Sequence, residues 1–456
     1  MRYCPGCLAK QQKIDRLHEQ IVSLKAKLCY QERTAKEGYF GSSTPSSQIP
    51  LKPNTLAERQ QRCGGARVGH QGHGRRSIAE GEATRIERVT VGDVCPKCGG
   101  HMEDRGIKRR TVTDCVPIKM VKIALELEHK RCTHCGESVY ARPPGVMPKC
   151  LYGNQLFTHV AVQHYLHGNT LGQLERQTGI GYGSLVKALH QLATRLKDVP
   201  AKLIEEYRKA AVKHADETGW RNDGQNGYGW IFCTPDTSIF RFRKSRSAQV
   251  ARDVLGEKPL PGTLVVDRYA AYNKMLCALQ YCYAHLLRDV EDIEKEFPDN
   301  PEVSSFAKAF GTLLANAMHL RSLPLNDDQF KEHAEDIKTR IIDMVNREAR
   351  HPAIQTFQNL FREKAERMYH WAEDRRIPAD NNLAERELRP LVIARKISFG
   401  SQSEKGAHTR EILMTVLHTL KKRTPDAAAA FKKALDTLAD NPTLDPYPLL
   451  FPLNSS

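Results

Sequence analysis

The chain has 456 residues, which is too long for one small hydrophobic core, so two to four domains are expected. It carries 69 lysine and arginine residues against 53 acidic ones, and this net charge of +16 favours a polyanionic partner, most often nucleic acid. No apolar run approaches the roughly 18 residues of a membrane span, and the N-terminus lacks a signal-peptide pattern. These features disfavour membrane and secreted proteins, and a cytoplasmic location is expected.

The first predicted element is a short coiled coil within residues 1–38. Apolar residues recur there in steps of three and four, with charged residues between them. They are Ile14, Leu17, Ile21, Leu24 and Leu28. This is the a/d stripe of a coiled coil and predicts self-association. The alternative is an amphipathic helix that packs on its own protein.

Residues 39–80 are predicted to be a flexible basic linker. They begin with the Ser/Pro-rich stretch "YFGSSTPSSQIPLKPNT" and continue into the Gly-rich basic stretch "RCGGARVGHQGHGRRS". Neither stretch has the periodicity of a helix or a strand. The basic stretch could lie along phosphates or remain a solvated linker.

Residues 81–148 are predicted to form a zinc-binding, ribbon-like β domain. Thirteen cysteines in a chain without a secretion signal favour metal binding over disulfides, and four of them form two CxxC pairs separated by 33 residues. The four are Cys95, Cys98, Cys132 and Cys135. Two such pairs supply four thiolates to one structural Zn²⁺ with no open coordination position, and the alternative is four unrelated buried cysteines. A further pair, Cys4 and Cys7, stands alone and gives a weaker signal.

Residues 150–205 are predicted to be helical and similar to a helix-turn-helix. The stretch "NTLGQLERQTGIGYGSLVKALHQLATRL" contains two helical patterns around a Gly-containing turn, with Ser184 as the expected N-cap of the second helix. That second helix could enter a DNA major groove. An ordinary helical hairpin within a bundle fits the pattern equally.

Residues 206–298 change to a strand pattern that predicts the first part of a catalytic core. Three antiparallel strands, a helix, a strand, a helix and another strand give the order of a ribonuclease H-like sheet. Asp216 and Asp267 interrupt apolar strand sequence, and side-chain alternation favours Asp216 over Glu217 as the inward-pointing ligand. The fourth strand neighbours the first in this order, so the two aspartates could share divalent metal ions. An unrelated pair of strand-end aspartates is the alternative.

The third acidic ligand is expected on a helix after a long insertion. Asn382, Glu385 and Arg389 lie on one face of that helix, whereas Glu387 points away from it. Glu385 is therefore the predicted third carboxylate, with Asn382 and Arg389 beside it. The predicted segments are a helical insertion at 299–378, the catalytic helix and basic tail of the core at 379–425, and a C-terminal extension at 426–456.

A basic tract surrounds the predicted third carboxylate. Its cations are Arg386, Arg389, Arg395, Lys396 and Lys405. Divalent metal ions need carboxylates and DNA phosphates need cations, so a basic surface beside an acidic site is what a phosphodiester enzyme requires. The side chains of this tract are therefore candidates for contacting DNA.

The chain resembles a transposase of the insertion sequence 66 family, a DDE-type enzyme, over nearly its whole length. The resemblance is carried by the zipper-like start and by "FGSSTPSS", "CPKCGG…CTHC", "HADETGW", "VVDRYAAY", "CYAHLLRD" and "DNNLAERELRPLVIARKISFGSQSEKGA". It implies that Asp216, Asp267 and Glu385 are the catalytic residues and bind two Mg²⁺ ions.

A second part of the resemblance concerns the segment that follows the fifth strand. Cys282, His285 and Arg288 match the family's Cys-x-x-His-x-x-Arg segment. His285 could assist at the phosphate, or the segment could be a structural cap on the fifth strand.

The resemblance also implies a fold, a substrate and partners. The expected fold is multidomain α/β, with a ribonuclease H-like core, a helical insertion, an N-terminal coiled coil and a zinc-ribbon-like domain. The expected reaction cuts double-stranded DNA at the terminal inverted repeats of the element and joins the 3′-OH ends to target DNA by two-metal phosphoryl transfer. A homo-oligomer, small accessory proteins and association with the nucleoid are expected. The alternative hypotheses are a structure-selective nuclease of the same fold and an inactive, zinc-containing DNA-binding regulator.

Overall fold

The computed structural model describes residues 143–452 apart from residue 149, together with short pieces of the chain before them. These pieces are residues 13–14, 16–17, 20–21, 24, 120–121, 129–131 and 138–140. The chain divides into two compact units, Met1–Ser43 with Ile123–Ser456 and Thr44–Lys122, and nearly all of the second unit lies outside the described residues. The predicted linker lies outside them too. So do Cys4, Cys7, Cys95, Cys98, Cys132 and Cys135, and with them the predicted zinc site.

The described residues between 13 and 24 are helical, as the heptad pattern predicts. Ile14, Leu17, Ile21 and Leu24 are 48–63% exposed, and Leu28 lies outside the described residues. An exposed apolar stripe is what a coiled coil requires of each single chain, whereas packing on the same chain would bury it. Self-association stays a prediction.

Four helices lead into the main sheet. They are α1 (Asn154–Tyr165), α2 (Leu171–Thr178), α3 (Tyr182–Arg195) and α4 (Val199–Lys209). Thr170 and Gln173 form a capping box that begins α2, and Gly179, with φ 69°, ends it. Two helices around a glycine turn are therefore present, but the predicted N-cap Ser184 is wrong. Gly181 is the N-cap, and Ser184 lies in the first turn of α3.

The largest sheet among the described residues has five strands. A separate antiparallel hairpin of β1 (His129–Arg131) and β2 (Ser138–Tyr140) precedes it. The five strands are β3 (Val212–Asn222), β4 (Gln225–Cys233), β5 (Ser238–Arg243), β6 (Thr263–Val266) and β7 (Ala278–Tyr281). Their order is β5-β4-β3-β6-β7, with β3, β4 and β5 antiparallel and with β6 and β7 parallel to β3. The turn between β3 and β4 has positive φ at Asp223 and Gly224, as a two-residue hairpin requires.

Helices make up most of the remaining described chain. They are α5 (Ala248–Leu255), α6 (Tyr283–Glu296), α7 (Pro301–Leu320), α8 (Asp327–Asn346), α9 (Pro352–Glu363), α10 (His370–Glu373), α11 (Asn382–Ser398), α12 (Glu404–Arg423), α13 (Ala427–Asp440) and α14 (Pro446–Leu450). The predicted insertion contains α7 to α10, so its regular structure is helical. Among the described residues, no helix has the length and apolar character that crossing a bilayer needs.

The edge strand β5 is covered by side chains of α12. Three residues of α12, spaced four apart, accept hydrogen bonds from the backbone N–H groups of alternate residues of β5. The pairs are Ser238 with Thr419 at 3.1 Å, Phe240 with Thr415 at 3.0 Å and Phe242 with Glu411 at 3.2 Å. Four helical residues rise about 6 Å and two strand residues about 6.8 Å, so the two spacings nearly match. Three N–H groups on the edge of the sheet are thereby satisfied without a further strand.

The chain returns from the insertion to the sheet at the start of α11. The hydroxyl of Tyr283 donates to the carbonyl of Met368 at 2.7 Å, and its N–H donates to the carbonyl of Ala379 at 2.8 Å. These bonds fix the start of α6 against the start of α11. Helix α11 packs on β3 and β4. Gly229 permits this approach, because a Cβ there would lie 3.0 Å from Cδ1 of Leu391.

Candidate active site

Asp216 and Asp267 are brought side by side by strand register. Strands β3 and β6 pair in parallel with His214 opposite Val265, and two further residues along this register Asp216 is level with Asp267. Parallel neighbours are about 4.8 Å apart, and residues in equivalent positions face the same side of the sheet. Asp267 is buried and Asp216 half-buried. The two carboxylates therefore share one local environment.

Glu385 is held near this pair by a clamp centred on Asn381. The buried side chain of Asn381 donates to the carbonyl of Ala215 at 2.9 Å, and its Oδ1 lies 2.9 Å from Nδ1 of His214. Its N–H donates to Sγ of Cys282 at 3.1 Å, and its carbonyl accepts the N–H of Glu385 at 3.2 Å. One residue thus ties together strand β3, the start of α6 and the first turn of α11.

The sequence pattern named Asn382, whereas the structure gives the central position to Asn381. Asn382 is half-buried, and its N–H donates to Oδ1 of Asp380 at 3.0 Å. Glu387 points away from the site, as expected. Its carboxylate accepts a hydrogen bond from Ser238 at 2.7 Å and lies 3.3 Å from Nζ of Lys422. The sequence signal for Asn381 was its place in the run of asparagines before a charged helix.

Asp216 and Asp267 lie close enough to neighbouring acids, Glu385 among them, for their ionisation to be disfavoured. Burial, followed by the negative charges of Glu217, Asp267 and Glu385, raises the pKa of Asp216 well above its usual value. Burial raises the pKa of Asp267 to about 6. Glu385 adds to that rise, and a hydrogen bond from the N–H of Tyr269 at 2.9 Å opposes it. Buried acids whose pKa values are raised by neighbouring acids are typical of a site that binds a cation.

A fourth acid, Glu217, ties β3 to the loop that follows Asp267. Alternation placed it on the opposite face of the strand, and its buried carboxylate accepts hydrogen bonds from the Tyr272 hydroxyl at 2.6 Å and from Nε of Arg246 at 3.2 Å. Burial and the charge of Asp267 raise its pKa to about 8, while these two hydrogen bonds act to lower it. The hydroxyl of Tyr269 donates to the carbonyl of Arg246. The sequence pattern did not predict this network.

The first turn of α6 brings the Cys-x-x-His-x-x-Arg segment to Glu385. Nδ1 of His285 lies 3.9 Å from Oε1 of Glu385, and a guanidinium nitrogen of Arg288 lies 3.5 Å from the same oxygen. Burial, with the charges of two nearby arginines, lowers the pKa of His285 to about 4. Cys282 is the N-cap of α6, its N–H donates to the carbonyl of Val266 at 2.9 Å, and burial raises its pKa to about 12. Cys282 is thus structural, whereas His285 and Arg288 face the third carboxylate.

The donor atoms of the site suit divalent cations. Asp216, Asp267 and Glu385 offer carboxylate oxygens, which hard divalent ions prefer. Oε1 of Glu385 and Nδ1 of His285 are buried and have no hydrogen-bond partner among the described residues. A buried carboxylate oxygen that accepts no hydrogen bond is costly unless water or a cation meets it, and the guanidinium of Arg288 lies 3.5 Å from this one. The residues present therefore fit a bound metal ion.

Exposed cations cover the outer side of α11 and the start of α12. They are Arg386, Arg389, Lys396 and Lys405. Arg395 differs, because its guanidinium donates to the carbonyl of Gly219 at 2.6 Å and to Oγ1 of Thr218 at 3.3 Å. Arg395 therefore helps to hold α11 on β3, while the exposed cations face solvent along α11 and at the start of α12.

The family model described as "Transposase IS66 family" matches residues 149–409, more than half of the chain. The chain belongs to the IS66 transposase family. The matched region contains Asp216, Asp267 and Glu385, the Asn381 clamp and most of the helices that surround the main sheet. The acidic site therefore lies within the part of this chain that the family defines.

Two proteins of Sinorhizobium fredii (strain NBRC 101917 / NGR234), both described as uncharacterized, are similar to this IS66 family chain. The protein y4jD is 23% identical over 262 residues, which cover 52% of this chain and 48% of that protein. The protein y4qI is 23% identical over 413 residues, which cover 81% of this chain and 75% of that protein. The chain thus spans about half of the first relative and three quarters of the second. Neither description assigns an activity.

Proposed function

We propose that this protein is a DDE transposase that cuts DNA at the terminal inverted repeats of its insertion sequence and joins the 3′-OH ends to target DNA. The observation that carries the proposal is the convergence of Asp216, Asp267 and Glu385, from three separate parts of the chain, beside the exposed cations of α11. Family membership supports it. The strand order β5-β4-β3-β6-β7, with a helical insertion before α11, supports a ribonuclease H-like core.

In this proposal the carboxylates of Asp216, Asp267 and Glu385 hold two divalent cations. When bound, such cations activate an oxygen nucleophile and neutralise charge on the reacting phosphate. Strand register and Asn381 fix the spacing of the acids before DNA arrives, so little reorganisation is required at the moment of reaction. The exposed cations of α11 neutralise neighbouring phosphates and orient the duplex without reading its sequence.

Other segments have supporting roles in the same proposal. Helices α2 and α3 bind the DNA ends, and residues 1–38 pair two copies through the exposed apolar stripe, so that two ends can be joined together. The cysteines of the zinc-binding domain hold one structural Zn²⁺. Small accessory proteins take part in assembly.

A reaction with purified protein, a DNA fragment bearing the element's end and a plasmid target tests the proposal. We expect metal-dependent cleavage that leaves a 3′-OH at the end, followed by covalent joining to the plasmid. Glu385→Gln should abolish both steps. Glu387→Gln, a change on the same helix that points away from the site, should retain them.

The products separate the proposed function from its two rivals. Cleavage of branched DNA without any joined product would indicate a structure-selective nuclease. Binding of the end without cleavage at any metal concentration would indicate a DNA-binding regulator. Inverted repeats that bracket the reading frame, identified by sequencing the flanking DNA, would define the fragment to use.

A further inference from the structure

We propose that His285 is a nitrogen ligand of the cation that Glu385 binds, which makes this a mixed nitrogen and oxygen site with a preference for Mn²⁺ over Mg²⁺. This inference rests on the proposed function, because it concerns the metal of the same site. It adds a ligand to the three carboxylates and changes the expected choice of ion.

The two atoms that carry the inference are Nδ1 of His285 and Oε1 of Glu385. They lie 3.9 Å apart, and both are buried without a hydrogen-bond partner among the described residues. The separation is too long for a hydrogen bond, which ends near 3.2 Å for N–H···O. It is a permitted separation for two ligands of one ion, since atoms about 2.1 Å from a shared metal are at most roughly 4.2 Å apart.

The backbone around these atoms is fixed before any ion binds. Asn381 donates its N–H to Sγ of Cys282, the N-cap of α6, and accepts the N–H of Glu385. His285 and Glu385 therefore stand in the first turns of two helices that are joined by one buried residue. A ligand pair held on rigid elements in this way is preorganised, so little entropy is lost when the ion binds.

Cys282 and Arg288 have other roles beside this pair. The donor atoms of Cys282, His285 and Glu385 lie within 4.8 Å of one another, but the thiol of Cys282 already accepts the N–H of Asn381. Arg288 approaches Glu385 at 3.5 Å, and its side chain is 55% exposed. Its guanidinium can turn towards solvent and a DNA phosphate when a cation takes its place.

The choice of ion follows from the chemistry of the donors. Mg²⁺ is a hard ion that prefers oxygen ligands and loses its water reluctantly. A neutral imidazole is a good ligand for first-row transition ions, and the affinity of a nitrogen-containing site rises from Mn²⁺ onwards along that row. Replacing one oxygen ligand by Nδ1 of His285 therefore shifts the preference from Mg²⁺ towards Mn²⁺.

The test uses the full-length protein at pH 8, loaded with Mn²⁺ alone and studied by pulsed electron paramagnetic resonance. Wild type should show coupling of the Mn²⁺ electron spin to a directly bound ¹⁴N nucleus. His285→Ala should lose this coupling and should weaken Mn²⁺ binding by about tenfold or more, with a smaller change for Mg²⁺ measured by competition. His285→Asn is the second variant, because its amide oxygen keeps an oxygen ligand while the nitrogen signal is lost.

His167→Ala is the matched control, because His167 is exposed and lies outside the site. It should keep the ¹⁴N coupling and the affinity of wild type, and thermal unfolding checks that each variant is folded. Coupling that persists in both His285 variants overturns the inference. The inference is also overturned if wild type binds Mn²⁺ without any ¹⁴N coupling. If that binding is lost in Asp216→Asn, the ion occupies the acidic site, and the proposed function stands. Wild type that binds no Mn²⁺ overturns the inference and contradicts the metal site of the proposed function as well.

Discussion

Two glutamates on consecutive helices have opposite surroundings, although α11 and α12 pack against the same sheet. On α12, the buried carboxylate of Glu411 accepts hydrogen bonds from Arg241, from Arg243 at 2.7 Å and from the N–H of Phe242 at 3.2 Å. On α11, Glu385 has a buried oxygen without a hydrogen-bond partner among the described residues. Two arginines bond Glu411 directly, whereas the guanidinium nitrogen of Arg288 lies 3.5 Å from Oε1 of Glu385.

This difference separates a structural acid, Glu411, from Glu385, the acid that we propose to be catalytic. Glu411 is matched by its own arginines and by the backbone of β5, so its removal would leave buried donors unpaired. Asp216 and Asp267 are instead buried near other acids that raise their pKa values, which costs stability in the free protein. Such a cost is common where side chains are arranged for a ligand rather than for folding.

The largest expected effect is the loss of catalysis in Asp216→Asn. End cleavage should fall by roughly a thousandfold or more, the scale of removing a principal catalytic group, while DNA binding is retained. At pH 8 without divalent ions, the free energy of unfolding should be equal to or higher than that of wild type. The reason is that burial and its acidic neighbours raise the pKa of Asp216, so its ionised form is disfavoured in the folded state.

Cleavage assays, DNA-binding titrations and urea denaturation measure these three quantities. Cleavage at the wild-type rate would remove Asp216 from the site. A large loss of stability together with the loss of cleavage would mean that Asp216, like Glu411, has a structural role.

The next effect concerns the structural acid. Glu411→Gln should lower the free energy of unfolding by about 3–5 kcal/mol, because it leaves the largely buried Arg241 without its carboxylate. Glu404→Gln is the control, since Glu404 pairs with Lys244 at 2.6 Å on the surface and should cost little or nothing. Urea denaturation measures both. Equal losses in the two variants would show that burial of the ion pair does not matter.

His418, also on α12, should make the free energy of unfolding depend on pH. Nε2 of His418 donates to the carbonyl of Tyr165 at 3.1 Å. Burial lowers its pKa to about 4, with Glu387 opposing this shift and Lys421 and Lys422 adding to it. The folded pKa lies below the unfolded value of 6.5, so the contribution is complete above pH 6.5. This contribution to the free energy of unfolding, on the order of 3 kcal/mol, is lost as the pH falls towards 4.

A His418→Gln variant isolates this contribution. Its free energy of unfolding should fall less steeply than that of wild type between pH 6.5 and pH 4.5. His167→Gln, a change at an exposed histidine, should follow the wild-type slope. Parallel slopes for all three proteins would mean that His418 does not govern acid sensitivity.

The part of this architecture that could be predicted rests on local signals. Alternation and turn residues gave the order of the strands, and that order brings Asp216 next to Asp267. The prediction of Ser184 as the N-cap of α3 was wrong, also for a local reason. Gly181 is the N-cap, and the N–H of Tyr182 donates to Oε1 of Glu175 at 2.8 Å, so the first N–H of the helix is satisfied without Ser184.

The part that could not be predicted depends on contacts between distant segments. Asn381 bonds to Ala215 across 166 residues of sequence, and its importance is visible only once α11 lies on β3. Alternation predicts that Glu217 lies on the other face of the strand from Asp216, but it does not predict the contacts with Tyr272 and Arg246. The facing atoms of His285 and Glu385 likewise come from two helices that the insertion separates in sequence.

The smallest expected effect distinguishes the two helices through their lysines. Lys396 is exposed on α11, whereas Lys422 on α12 donates to the carbonyls of Thr234 at 2.8 Å and Thr237 at 3.1 Å. Lys396→Ala should weaken binding to specific and unrelated DNA alike and should reduce the salt dependence of binding by about 0.9 for one lost phosphate contact, without changing stability. Lys422→Ala should lower the unfolding temperature and leave the salt dependence of the folded protein unchanged. If Lys422→Ala instead reduced the salt dependence and Lys396→Ala lowered the unfolding temperature, the duplex would lie along α12. The DNA path would then be separate from the acidic site.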